Sequence, residues 1–125
     1  QLAKPKIRPI VLVGDGAFQM SCVELSTIRR LGLNPIVFVL NNGGYNTERF
    51  LLDGAFNDIA NWNYHKITEM IGGGQGVVVE TEGHLEEAVK QALGSKEVFI
   101  INVILEPKDV SPALKRMTDG LSKRI

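Results

Sequence analysis

A single cysteine, Cys22, stands in a chain of 125 residues, so no intrachain disulfide can brace the fold. Long hydrophobic runs are missing as well: no apolar stretch approaches the ~18 residues that a membrane-spanning helix needs. Charge of one sign is also absent, since 14 Lys and Arg balance 14 Asp and Glu. That balance excludes a bulk field for gripping nucleic acid or an anionic membrane, and any anion must be met locally. Aromatic residues make up 6% of the chain, and Tyr45, Trp62 and Tyr64 lie away from any basic cluster, which argues against base stacking. The chain opens at Gln1 with no basic and apolar leader, and together with the lone thiol this sets the expectation of a reducing, cytoplasmic location. The length supports one hydrophobic core and not two, and no repeat, low-complexity tract or linker divides it.

What is present is a series of short Val- and Ile-rich runs at 10–13, 36–40, 77–79 and 98–105, which read as buried strands. Helix-length segments separate them, so the connections are crossovers and the class is α/β, a mainly parallel sheet with helices on both faces. Residues 17–31 predict a helix that is apolar nearly all round and therefore buried on more than one side. Arg29 and Arg30 suit its last turn, Gly32 its left-handed cap, and Pro35 stops it. Residues 84–93 carry Leu85, Ala88, Val89, Ala92 and Leu93 on one stripe and predict an amphipathic helix. A weaker helical pattern covers 59–71, and a short helix with a basic tail covers 112–121 and beyond.

The first strand runs directly into Gly14-Asp15-Gly16 and then into the first helix. Such a turn lets a ligand approach the backbone, and the helix start offers free N–H groups to a phosphate. A carboxylate beside phosphate is repulsive unless a divalent cation lies between them, and Mg²⁺ suits oxygen ligands of both kinds. The second strand ends in Asn41-Asn42-Gly43-Gly44, and in an open parallel sheet ligands gather at the carboxyl ends of strands. Asp15, the Asn42 amide oxygen and the Gly44 carbonyl then form part of an octahedral oxygen set. Taken separately, Asp15 reads as a helix cap and 41–44 as a turn; together, at matching strand ends, they read as a site.

Gly14-Asp15-Gly16 followed after 24 residues by Asn41-Asn42 resembles the thiamine diphosphate binding motif. The surrounding run GDGAFQMSCVELSTIRRLGLNPIVFVLNNGGYNTERF is similar to the 2-oxo acid decarboxylases of the pyruvate and indolepyruvate type. The likeness continues through Asn57-Asp58-Ile59 and Asn61-Trp62 to the last strand and helix. It implies that residues 1–125 are the C-terminal part of a thiamine diphosphate-binding domain, a partial form of that fold. It also implies Mg²⁺ held by Asp15, Asn42 and the Gly44 carbonyl, and a cofactor-binding set of Gly14, Asp15, Gly16, Ala17, Asn42, Gly44 and Tyr45, with Gly16 and Ala17 facing the diphosphate. Glu48 matches the family's active-site glutamate, which assists proton transfers as a 2-oxo acid loses CO₂ and an aldehyde forms. From the residues alone, Asn46 reads as a helix N-cap with Glu48 in the first turn, and both readings can hold together.

Two positions depart from the family: Gly43, where a polar residue is common, and Thr47, where an aliphatic residue borders the substrate. Residues 1–5 resemble the tail of a helix. The pyrimidine-binding domain, its activating glutamate and the paired histidines of the family are not in this sequence. The expectation is therefore an inactive isolated chain whose site is completed by a pyrimidine domain, from a neighbouring subunit of a homo-oligomer, and a surface prone to self-association. The competing readings are a carboligase of the acetolactate synthase type, disfavoured by Gly44-Tyr45-Asn46-Thr47-Glu48, and a non-catalytic metal- and diphosphate-binding module that completes a site with another chain. Other signals carry less. The glycines at 72–74 precede a strand and read as a mobile surface loop. His65 and His84 lack the spacing of a zinc site, Cys22 reads as core, and Lys108, Lys115, Arg116, Lys123 and Arg124 as a solvated basic face.

Overall fold

The computed structural model describes residues 1–121. Four strands, β1 (Ile10–Gly14), β2 (Ile36–Asn41), β3 (Gln75–Val79) and β4 (Phe99–Ile104), form one sheet in the order β1-β2-β4-β3. Every pairing is parallel, as crossover connections require. The helices are α1 (Asp15–Ser21), α2 (Leu25–Arg30), α3 (Asn46–Arg49), α4 (Ile67–Met70), α5 (Glu82–Gly94) and α6 (Pro112–Leu121). The α/β reading holds, with helices packed on both sheet faces.

Alternation along each strand sends its side chains to two separate cores. On one face Ile36, Phe99 and Ile101 meet Ala88 and Ala92 of α5, with Val79 alongside. The Thr81 hydroxyl starts α5 by accepting from the His84 N–H at 3.2 Å. On the other face Val37, Val39 and Ile100 meet Phe18, Cys22 and Leu25 of the α1 to α2 run, with Tyr64 and Ile67. Below the sheet, Arg8 ties the strand starts to the end of α5: its guanidinium donates to the carbonyls of Asn34, Ala92, Ser95 and Glu97.

Helix α2 stops as its sequence predicts. Gly32 adopts φ +62°, its N–H donates to the Arg29 carbonyl and that of Leu33 to the Ile28 carbonyl, which closes the helix end.

Several expectations change. Strand β1 is an edge strand and largely exposed, not buried: Ile10 and Leu12 are 61% and 68% accessible, because among the described residues β1 has no second neighbouring strand and no helix covers these two side chains. The helix expected over 17–31 is bent into α1, a 3-10 turn at Cys22–Glu24 and α2. The Ser21 hydroxyl donates back to the Ala17 carbonyl at 3.0 Å, and Ser21 leaves helical geometry at φ −126°, ψ −2°. That run is buried on one side only, with Met20 and Val23 exposed. Over 59–71 only a 3-10 turn, Tyr64–Lys66, and α4 form. Residues 1–9 make turns, not a helix end. The glycines at 72–74 form a turn held by Arg29, which donates to the Gly72 carbonyl at 3.3 Å, and packed near Val98. Cys22 is buried in the core as expected, while Lys123 and Arg124 lie outside the described residues.

Candidate functional site

Because β1 and β2 are hydrogen-bonded neighbours, with Gly14 opposite Leu40, their carboxyl ends deliver the two motifs to one place. Asp15 is 1% exposed, and its carboxylate accepts three backbone N–H groups: Gly16 at 2.8 Å, Gly43 at 2.7 Å and Gly44 at 3.1 Å. Such charge-assisted bonds offset the loss of water around a buried carboxylate. Asp15 is not the cap of α1; that place belongs to Gly14, and no side chain caps the helix. Its bonds reach across 28 and 29 residues to the second motif, so the convergence inferred from the strand ends is present.

The two asparagines divide their work. Asn41 is buried and donates to the Asn61 side chain at 3.1 Å, holding the 60–64 segment to the end of β2. The Asn42 amide oxygen is buried and has no hydrogen-bond partner, a state it shares with the Asn46 and Asn102 amide oxygens, and it directly precedes the Gly43 and Gly44 N–H groups that bind Asp15, so it is open to a ligand. Gly44 runs at φ +147°, in space already filled by the Asn57 carbonyl and the Arg49 side chain, so no other residue fits there. A Cβ on Gly16 would lie 2.6 Å from the Tyr45 ring, which shows how closely Tyr45 sits on that turn, whereas a Cβ on Gly14 would meet nothing. Ala17 is exposed at the helix start.

Glu48 is exposed on α3 and shares no hydrogen bond with the Asp15 cluster. Asn46 does not cap α3; Tyr45 holds that position, and the Asn46 amide donates instead to the Asp109 carbonyl at 3.0 Å. The segment after β4 is thereby drawn to the site.

Several supporting residues escaped the sequence reading. Gln19 donates to the Tyr64 hydroxyl at 2.8 Å and to the Ala60 carbonyl at 2.6 Å, bracing α1 against the following segment. Tyr64 is fully buried, edge-on to Phe18 at 5.7 Å, and burial pushes its phenol up while the Gln19 bond opposes this. Arg49 donates to the Gly43 carbonyl at 2.8 Å and pairs with Asp58 at 2.7 Å. The Tyr45 N–H donates to the Asn57 carbonyl at 2.9 Å, closing the loop that carries them. The sequence signal for these was weak, because each partner is set by how residues 45–58 double back.

Among the described residues no group of three His, Cys, Asp or Glu comes together, so a transition-metal site of that kind is not formed. The donors at the Asp15 cluster are its carboxylate, the unpartnered Asn42 amide oxygen and backbone carbonyls, all hard oxygens, and they suit Mg²⁺. A cleft of about 170 Å³ between β1 and the α1 to α2 run is apolar, lined by Val11, Phe18, Cys22 and Leu25, and does not include Asp15.

The fold is an all-parallel α/β sheet that brings a buried carboxylate and an unpartnered amide oxygen together at adjacent strand ends. The profile described as "Thiamine pyrophosphate enzyme, C-terminal TPP binding domain" matches residues 1–103, and the chain belongs to that family. "Pyruvate decarboxylase 2" of Oryza sativa subsp. japonica is 41% identical over 119 residues, which is 91% of this chain and 20% of that protein. "Pyruvate decarboxylase 2" of Pisum sativum is 39% identical over 118 residues, 90% of this chain and 29% of that one. Among solved structures, a thiamine diphosphate-dependent 4-hydroxybenzoylformate decarboxylase of Rhodococcus jostii RHA1 matches with a TM-score of 0.78 and 25% identity, over 85% of this chain and 21% of the other. The chain thus spans between a fifth and a third of the length of these relatives.

Proposed function

We propose that this chain is the diphosphate-binding part of a thiamine diphosphate- and Mg²⁺-dependent decarboxylase that converts a 2-oxo acid, pyruvate or indolepyruvate among the candidates, to an aldehyde and CO₂. The observation that carries the reading is the joining of Asp15 to the Gly43 and Gly44 N–H groups beside the unpartnered Asn42 oxygen. Asp15, Asn42 and the Gly44 carbonyl hold the metal, while the backbone at Gly14, Gly16 and Ala17, with Tyr45, borders the diphosphate. When bound, thiamine diphosphate supplies the carbon nucleophile and the electron sink for decarboxylation. Glu48, exposed on α3, is free to hold or deliver a proton at the reacting carbon. Its solvent exposure also supports a site closed by a further domain, the pyrimidine-binding domain of a neighbouring subunit in a homo-oligomer. The lone, buried Cys22 supports a cytoplasmic location.

The test is calorimetric titration of the chain with thiamine diphosphate, with and without Mg²⁺, using Asp15→Ala as control. Mg²⁺-dependent heat that vanishes in Asp15→Ala is expected, and equal heat in both proteins would overturn the site. Aldehyde formed from pyruvate by this chain alone would overturn the need for a second domain.

A further inference from the structure

The two glycines after Asn42 meet in one peptide plane, and its two polar ends are held from opposite sides. The Gly44 N–H donates to the Asp15 carboxylate at 3.1 Å, while the Gly43 carbonyl accepts from Arg49 Nη2 at 2.8 Å. Glycine-glycine peptides are easily reoriented, since no Cβ resists the turn, and both residues here run at positive φ, +75° and +147°. A reversal of this plane would break both bonds at once and aim a carbonyl at the Asp15 carboxylate.

Arg49 is held through Nη2, while its Nη1 is buried without a partner. Its side chain is 12% exposed, Nη2 also pairs with Asp58 at 2.7 Å, and it lies 2.6 Å from where a Gly44 Cβ would stand, flat against the loop. Asp58 is brought there by the bridge between Gly44 and Asp58 and by the Tyr45 N–H bond to Asn57.

We propose that Arg49 is a positioning residue that locks the peptide between Gly43 and Gly44, and so sets the Asp15 carboxylate, the Asn42 oxygen and the Gly44 carbonyl in one orientation before metal arrives. This rests on the site reading given above. Arg49 touches neither metal nor substrate; it acts through the loop. Residues that orient metal ligands typically change metal affinity by about 10- to 100-fold when lost, and an effect in that range is expected here.

The experiment compares the chain with Arg49→Met and Arg49→Lys by amide hydrogen exchange and by Mg²⁺ titration in the presence of thiamine diphosphate. In Arg49→Met the Gly44 amide should exchange at least about tenfold faster, with the Val39 and Ile101 amides of the sheet unchanged, and Mg²⁺ affinity should fall about 10-fold or more. Lysine, a single charged donor on a flexible stem, should restore part of both. Unchanged Gly44 exchange in Arg49→Met, or acceleration spread equally over the sheet amides, would overturn the lock. An unaltered chain without Mg²⁺-dependent binding would overturn instead the reading that these residues hold metal without a further domain, and the two failures are distinguished because exchange is read without ligand.

Discussion

Strands β1 and β4 are written in nearly the same alphabet, Ile-Val-Leu-Val-Gly against Phe-Ile-Ile-Asn-Val-Ile, yet they experience different surroundings. Strand β4 has a neighbour on each side and a helix layer on each face, so Phe99, Ile100 and Ile101 are 0% exposed. Strand β1 has one neighbour, and Ile10, Val11 and Leu12 all remain exposed. Hydrophobicity marked both as strands; only the number of flanking layers separates core from edge. An apolar edge with open N–H and C=O groups is also the place where a sheet recruits further chain.

The comparison is broken most severely at the centre. Ile101→Ala should lower stability by about 3 kcal/mol, read from the urea unfolding midpoint, because the cavity opens between β4 and α5 where nothing can collapse to fill it. A loss below about 1 kcal/mol would mean that β4 is not the packed centre. Next comes the joint between the two regions. Arg8→Ala removes the donor shared by four carbonyls at the strand starts and the end of α5 and should cost about 1 to 2 kcal/mol by the same measurement. The smallest change in stability is expected at the edge itself, where Leu12→Lys should stay within about 0.5 kcal/mol. That same substitution sharpens the contrast by light scattering: the parent chain should self-associate as concentration rises, and the lysine should reduce this. A parent chain that stays monomeric would show that the exposed edge is protected in some other way.

Much of this architecture was legible because it depends on local pattern. The α/β class, α5 with its stripe of Leu85, Ala88 and Ala92, and the stop at Gly32 each follow from residues within a few positions of one another. The meeting of Asp15 with the 42–44 loop was legible for a different reason: both motifs sit at strand ends, and parallel strands place those ends together. The strand order was not, since four interchangeable apolar runs do not say which lies at the edge. Nor was the bend at Ser21, which turns on a hydroxyl choosing the Ala17 carbonyl. Arg49 and Asp58 were illegible because their pairing exists only after residues 45–58 fold back, a tertiary event with no periodic trace. The apolar helix of 17–31 misled for the same reason as β1: its outer residues, Met20 and Val23, are hydrophobic without being covered.

The near-palindromic Gly14-Asp15-Gly16 turn conceals two unlike constraints. At position 14 the backbone is ordinary extended chain, φ −69° and ψ 155°, and an added methyl group would meet no atom of the protein. At position 16 the methyl group would strike the Tyr45 ring, so the restriction is internal. A saturation library selected only for folding should therefore admit alanine at 14 and reject it at 16. Intolerance that emerges at 14 under selection for function is then a readout of whatever approaches the turn from outside, whereas intolerance at 16 reports on the tyrosine 29 residues further along the chain.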